Sequence, residues 1–454
     1  MKVLLVFPRT RYPSGDIPIG LSILGAILKK HGHQVTVFDS TFLKNPHDQF
    51  LTLLKKNRFD FMGLSLMTTM LKAAADFCRT AKQEQLGLKV IAGGPHPTMM
   101  PEQTLRETGA DICVIGEGEE ILPELIAYTI PDRLNGAAAF SNGEFRINPQ
   151  SKPVGDLDSL PFPDFSLFDA ARYISCWYSL DCVSPRSRGM NLVATRGCPF
   201  SCTFCQPTLK RLFGDTVRKH SPEYISALVG FLRSQFKLNC FMFEDDTFTA
   251  DKNWCISVGE AIVRAHPEIY WGCNSHVRQI DEPLLRALKN SGLRMIFLGI
   301  ESGSQRVLSE IYRKNFHLDD AREKIGTAKK LGLKVHAYFM LGAPTETEKE
   351  IKSTISFAVN SPIDEASFNI TSPLPGTSMF DSFSEHIRIK INEINYYDRP
   401  AFDSKIAVNE KKLLKMKKAA VIRFYLTRQR PSLIAKTLLT VNGFKRFLLK
   451  LKRF

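Results

Sequence analysis

Cys198, Cys202 and Cys205 stand in the run NLVATRGCPFSCTFCQP at a C-x-x-x-C-x-x-C spacing. Three thiolates on one loop hold three irons of a 4Fe-4S cube and leave the fourth iron open to an exogenous ligand. A structural zinc site would need a fourth His or Cys at a companion spacing, and none follows. A disulfide set is poorly served by three cysteines in a chain without a secretory signal. The other seven cysteines are scattered and none lies beyond Cys273, so a single cluster is expected.

Such a loop needs a strand to present it and a cleft for the ligand of the open iron. MNLVAT reads as that strand. From Asn191 to about residue 385 the runs NLVAT, NCFMFED, IYWGCNSH, MIFLGIES, KVHAYFML and EASFNITS alternate with helix-like stretches. Six such units predict a partial α/β barrel with its active site at the carboxyl ends of the strands. Chemistry-bearing residues stand at those ends: Glu244, Asp245 and Asp246 after the second strand, Arg278 after the third, Glu301 and Ser302 in GIESGS, and Gly342 and Pro344 in MLGAPTET. A carboxylate there suits an ammonium partner or a vicinal diol. Taken singly, each also reads as a helix cap or a turn.

The first 130 residues alternate apolar runs (KVLLVF, QVTVFD, FDFMGLSLM, KVIAGG, ADICVIGEGEE) with helical patterns. That predicts a doubly wound parallel sheet of the flavodoxin-like type. Ser65 and Gly93-Gly94 end two of its strands, where a hydroxyl can bond a phosphate or ribose and glycines admit a bulky ligand. Thr68, Thr69 and the turn Gly116 to Glu119 are expected in the same crevice, and His96 is expected to be solvent-facing or hydrogen-bonded. Residues 136–190 read as a Pro- and Ser-rich linker that packs through Phe162, Phe165 and Phe168. The expected division is therefore 1–135, 136–190, 191–385 and 386–454.

The cysteine triplet, with Phe204 before its last member and the strand-end motifs in order behind it, resembles the radical S-adenosylmethionine (radical SAM) superfamily. The preceding α/β unit resembles a cobalamin-binding domain. The pair resembles the branch that contains hopanoid and other carbon methylases and the anaerobic magnesium-protoporphyrin ester cyclase. The resemblance implies a 4Fe-4S cluster on Cys198, Cys202 and Cys205, with SAM contacted by Phe204, Glu244, Asp245, Asp246, Arg278, Glu301, Ser302 and Gly342. It implies cobalamin cradled by Ser65, Gly93 and Gly94. FPRTRYPSGD stands where D-x-H-x-x-G would follow the first strand, so no histidine is expected below the cobalt. The implied reaction is cleavage of SAM to a 5′-deoxyadenosyl radical and methylation of an unactivated carbon, with a flavodoxin or ferredoxin as reductant. An apolar, lipid-like or isoprenoid-like substrate is expected. Oxidative cyclisation of a tetrapyrrole and a sensor without turnover are the alternatives.

The formal charge of +15 is concentrated: the last fifty residues carry fifteen Lys or Arg against one acid, Glu410. KKLLKMKKAAVIRFYLTRQ and SLIAKTLLTVNGFKRFLLKLKRF mix those cations with apolar residues at near-helical spacing, a pattern that fits either an anionic membrane surface or a packing helix with a basic face. Nucleic acid is disfavoured because no stacking module is evident. No apolar stretch is long enough for a transmembrane helix, and a cytoplasmic protein is expected.

Overall fold

Apolar runs that alternate with helices bury both faces of a parallel sheet, and this chain does so twice. The computed structural model describes residues 1–128 and 134–427, and beyond them 430, 431, 435, 438 and 443–451. The first sheet contains β1 (Lys2–Phe7), β2 (Gln34–Asp39), β3 (Phe61–Ser65), β4 (Lys89–Gly93), β5 (Ile112–Val114), β6 (Ala137–Ser141) and β7 (Glu144–Ile147), in the order β2-β1-β3-β4-β5-β6-β7. The first five are parallel, as the strand-helix alternation predicts. The last two are an antiparallel hairpin turned at Asn142 and Gly143, both with positive φ, the geometry for which Asn-Gly is favoured. Residues 137–147, placed in the linker by their composition, thus extend the N-terminal sheet.

The second unit contains β8 (Gly189–Leu192), β9 (Thr195–Arg196), β10 (Arg218–Lys219), β11 (Cys240–Phe243), β12 (Tyr270–Ser275), β13 (Leu293–Glu301), β14 (Lys334–Leu341) and β15 (Glu365–Ile370). Six of these form an all-parallel half barrel in the order β15-β14-β13-β12-β11-β8, and β9 with β10 makes a short antiparallel ribbon beside the cysteine loop. Expectation and structure agree on this architecture.

The rest of the linker is a packing element. Trp177, Leu180 and Cys182 form one buried cluster with Cys240, Met242, Met295 and Phe297 on the inner face of the barrel. A Cβ on Gly189 would lie 2.4 Å from Trp177, and one on Gly272 would lie 2.8 Å from Leu180. Those two glycines let the plug seat. Phe165 and Phe168 are buried, and Phe162 meets Tyr224 edge-on at 5.0 Å, so all three aromatics pack as expected.

The basic tail also turns partly inward. The helix Glu410–Tyr425 buries Leu413, Ala420 and Phe424, and Phe424 meets Phe368 of β15 at 6.1 Å. Arg446 pairs with Asp181 at 2.6 Å and Lys450 with Glu365 at 3.0 Å. Arg430 donates to the carbonyls of Ile363 and Ser361. A buried cation is tolerated only with such partners, and losing one partner strands the other. The tail is therefore built into the barrel, and Lys411, Lys415, Lys418, Ile422 and Leu426 remain as an exposed stripe. Among the described residues no helix is long and apolar enough to cross a membrane. Most of the second basic run before Gly443, and residues 452–454, lie outside the described residues.

Candidate functional site

The cysteine loop leaves β9 through Gly197, whose φ of +100° favours glycine. Its far side is tied down by Thr203, which donates from its N–H to Tyr312 O (3.0 Å) and from its hydroxyl to Ile311 O (2.6 Å). Ser378 N–H and Met379 N–H close on Gln206 O and Thr203 O. The loop is thus fixed from two directions while Cys198, Cys202 and Cys205 stay free thiols, with Cys198 Sγ 3.4 Å from Thr247 Oγ1.

Burial raises all three thiols, Cys202 to about 11, and the Lys314 ammonium acts the other way on each. Deprotonation at such a site is coupled to metal binding. Among the described residues no three His, Cys, Asp or Glu converge as they would around a single ion. A cube, which takes one thiolate per iron, suits this donor set better than zinc does.

The strand-end residues divide into those that face the cavity and those that brace it. Asp245 is fully buried, and Oδ1 accepts the N–H groups of Ala194 (3.0 Å) and Thr195. Among the described residues its other oxygen has no hydrogen-bond partner, and burial pushes the carboxyl up to about 7. Asp245 therefore holds the strand that feeds the cysteine loop. Asp246 accepts from Gly197 N–H, and burial raises it to about 6. Glu244 accepts from Asn274 Nδ2 at 3.2 Å.

Glu301, at φ +65°, is buried and accepts from Lys314 Nζ at 2.7 Å. A Cβ on Gly299 would lie 2.4 Å from both partners of that pair. Ser302 is wholly buried against Thr354 and takes Ser304 N–H, so it braces its turn. Gly342 has φ +83°, and Glu346 accepts its N–H and that of Ala343. Phe204 meets Tyr312 edge-on at 5.4 Å, with Lys314 Nζ 5.9 Å from its ring centre. Arg278 is exposed on the turn Val277–Gln279. The buried cation beside the cysteines is Lys314, which the strand-end motifs do not mark because it lies thirteen residues past Glu301.

A cavity of about 370 Å³ separates the two units. Ser65, Gly93, Gly94 and the turn Gly116 to Glu119 line it from the N-terminal side, and Arg196, His220 and Glu244 to Asp246 line it from the barrel side. Gly94 has φ +104°, and a Cβ there would lie 3.0 Å from Leu66 O. The positive φ and the close approach of the Leu66 backbone both select glycine at this edge of the cavity. Thr68 and Thr69 do not line this cavity: Thr68 bonds His96 Nδ1 at 3.1 Å, and Thr69 sits in a separate pocket of about 40 Å³. His96 is buried and hydrogen-bonded, and burial lowers its pKa to about 4.

Residues 14–126 match the B12 binding domain model and residues 192–358 the radical SAM superfamily model. An uncharacterized methyltransferase of Pyrococcus horikoshii is 30% identical, covering 98% of this chain and 96% of its own length. The anaerobic magnesium-protoporphyrin IX monomethyl ester cyclase of Rubrivivax gelatinosus is 25% identical over 86% of this chain and 71% of its own. Among solved structures, the radical SAM methyltransferase TsrM of Kitasatospora setae, with cobalamin and a 4Fe-4S cluster bound, superposes with a TM-score of 0.69 at 17% identity, covering 85% of this chain and 74% of its own.

Proposed function

Because the chain belongs to the radical SAM enzymes that carry an N-terminal B12-binding domain, we propose that it methylates an unactivated carbon of a small, largely apolar molecule. When bound, the reduced cluster supplies the electron that cleaves SAM, and cobalamin supplies the methyl carrier. The observation that carries this reading is the shared cavity, with Ser65, Gly93 and Gly94 on one wall and Glu244 and Asp246 on the other.

Cys198, Cys202 and Cys205 hold the cluster in this reading, and Glu244 and Asp246 take the ammonium of SAM. Lys314, rather than the exposed Arg278, pairs with its carboxylate. Ile19, Leu21, Ile23 and Leu24 line the same cavity and keep it poor in water. Anaerobic incubation with candidate substrates and SAM carrying a deuterated methyl group should yield product with that methyl, together with 5′-deoxyadenosine. Product without an added methyl would refute transfer and favour the cyclising outcome to which the Rubrivivax relative points.

The exposed stripe Lys411, Lys415, Lys418, Ile422 and Leu426 supports peripheral contact with an anionic membrane, each cation contributing on the order of 1 kcal/mol. Truncation would remove a packed helix, so charge reversal is the cleaner test. The protein should float with phosphatidylglycerol vesicles, and a Lys411→Glu, Lys415→Glu, Lys418→Glu variant should not. Equal flotation of the two removes the membrane reading.

A further inference from the structure

Four charged side chains from the two units meet at the wall of the central cavity. Glu117 and Glu119 lie in the turn after β5, Arg196 ends β9 two residues before Cys198, and Arg218 is its cross-strand partner on β10. Arg196 spans both acids, with Nη1 2.8 Å from Glu117 Oε1 and Nη2 2.6 Å from Glu119 Oε1. Arg218 reaches Glu117 Oε1 at 2.7 Å and Oε2 at 3.0 Å. Glu117 Oε2 also accepts the N–H of Val154 at 2.7 Å. The side chains are 5 to 12% exposed.

Two positive and two negative charges cancel here, but taking all four out of water costs much of what their attraction returns. Well-packed apolar residues would hold two units together at least as strongly. A buried ion network is better suited to fixing one relative position, because the paired charges are satisfied in a single register. Both ends of this network have chemical neighbours. Glu117, Glu119 and Arg196 line the same cavity as Ser65, Gly93 and Gly94, so a ligand in that slot lies against them.

At the other end, Arg196 is joined to Cys198 by Gly197 alone. The backbone before it is held by Asp245, which takes the N–H groups of Ala194 and Thr195. Asp246 takes the N–H of Gly197. A displacement of Arg196 therefore passes into the cysteine loop with little slack.

We propose that Arg196 is a positioning residue that locks the cysteine loop in register with the cobalamin slot through Glu117 and Glu119, so that filling the slot and assembling the cluster favour one another. This rests on the two-cofactor assignment above. Coupling of this kind is reciprocal, and about tenfold is an ordinary size for it.

The test uses full-length protein prepared anaerobically, with and without reconstituted cluster, titrated with hydroxocobalamin and followed by absorbance. The wild type should bind cobalamin about tenfold more tightly with the cluster in place, and its reduced-cluster electron paramagnetic resonance spectrum should change on cobalamin addition. Arg196→Gln should bring the affinity ratio close to one and abolish the spectral change. Glu119→Gln keeps the shape of the side chain and carries the test if the arginine variant does not fold. Arg196→Lys, which keeps the charge but not the two-pronged reach, should recover only part of the ratio.

A ratio near tenfold in both Arg196→Gln and Glu119→Gln overturns the proposal, as does a wild-type ratio of one. Wild-type protein that takes up iron but binds no cobalamin in either form would instead overturn the two-cofactor assignment.

Discussion

Single replacement of Cys198, Cys202 or Cys205 by Ala is expected to drop 5′-deoxyadenosine formation from SAM to the uncatalysed background and to leave the reconstituted protein without a stable four-iron cluster. The expectation follows from the donor set. In the proposed assignment each thiolate would hold a different iron, so the loss of any one leaves an iron without its protein ligand. Neither Thr247, the neighbour of Cys198, nor the N–H groups that tie the loop at Thr203 can replace a thiolate. Cys182→Ala is the matched control. That thiol lies in the barrel plug against Met295 Sδ at 3.7 Å, so its loss opens a small cavity within that apolar cluster. It should cost about 1 kcal/mol of stability and leave iron content unchanged. Iron content is read by metal analysis and cleavage by chromatography. Normal iron and normal cleavage in any of the three loop variants would remove the cluster assignment.

Sequence patterns of short range were legible, and pairings of long range were not. The strand-helix alternation announced both sheets, and the cysteine spacing announced the cluster, because each is written within a few residues. The run Glu244-Asp245-Asp246 announced an acidic strand end but not its division of labour. Which of three consecutive carboxylates turns back to cap Ala194 and Thr195 depends on a strand fifty residues away. Arg196 and its carboxylates are separated by more than seventy residues, so neither motif carried a sign of the other.

The run CWYSLDC reads as linker because Pro and Ser surround it, although its Trp177 and Leu180 are the signal that it packs. Asn142-Gly143 likewise marked a hairpin inside that linker. The pattern of the tail left a membrane surface and a packing helix both open for a related reason. The acids that pair with Arg446 and Lys450, Asp181 and Glu365, are distant in sequence and are brought beneath them by the fold.

Lys314→Met is expected to damage both the fold and SAM binding, and a second substitution separates the two. Lys314 and Glu301 are each almost fully buried, and the pair stands over Gly299, where a Cβ would touch both. Removing the ammonium leaves Glu301 as an unpaired buried carboxylate, which typically costs about 3–5 kcal/mol. Replacing Glu301 by Gln as well removes that stranded charge, so the Lys314→Met, Glu301→Gln double variant should regain most of the lost stability in a thermal or denaturant melt. Any energy left over in the double-mutant cycle measures the coupling of the pair itself.

SAM binding should not recover with it. A charge-assisted hydrogen bond to the SAM carboxylate contributes roughly 1.5–3 kcal/mol, so the double variant, loaded with cluster, should bind SAM roughly 10- to 100-fold more weakly than the Glu301→Gln single variant, which controls for any contact of Glu301 with SAM. If the stable double variant binds SAM as tightly as that single variant, Lys314 serves only to neutralise Glu301. The carboxylate of SAM must then be met elsewhere, and Arg278, exposed at the end of β12, becomes the next residue to change.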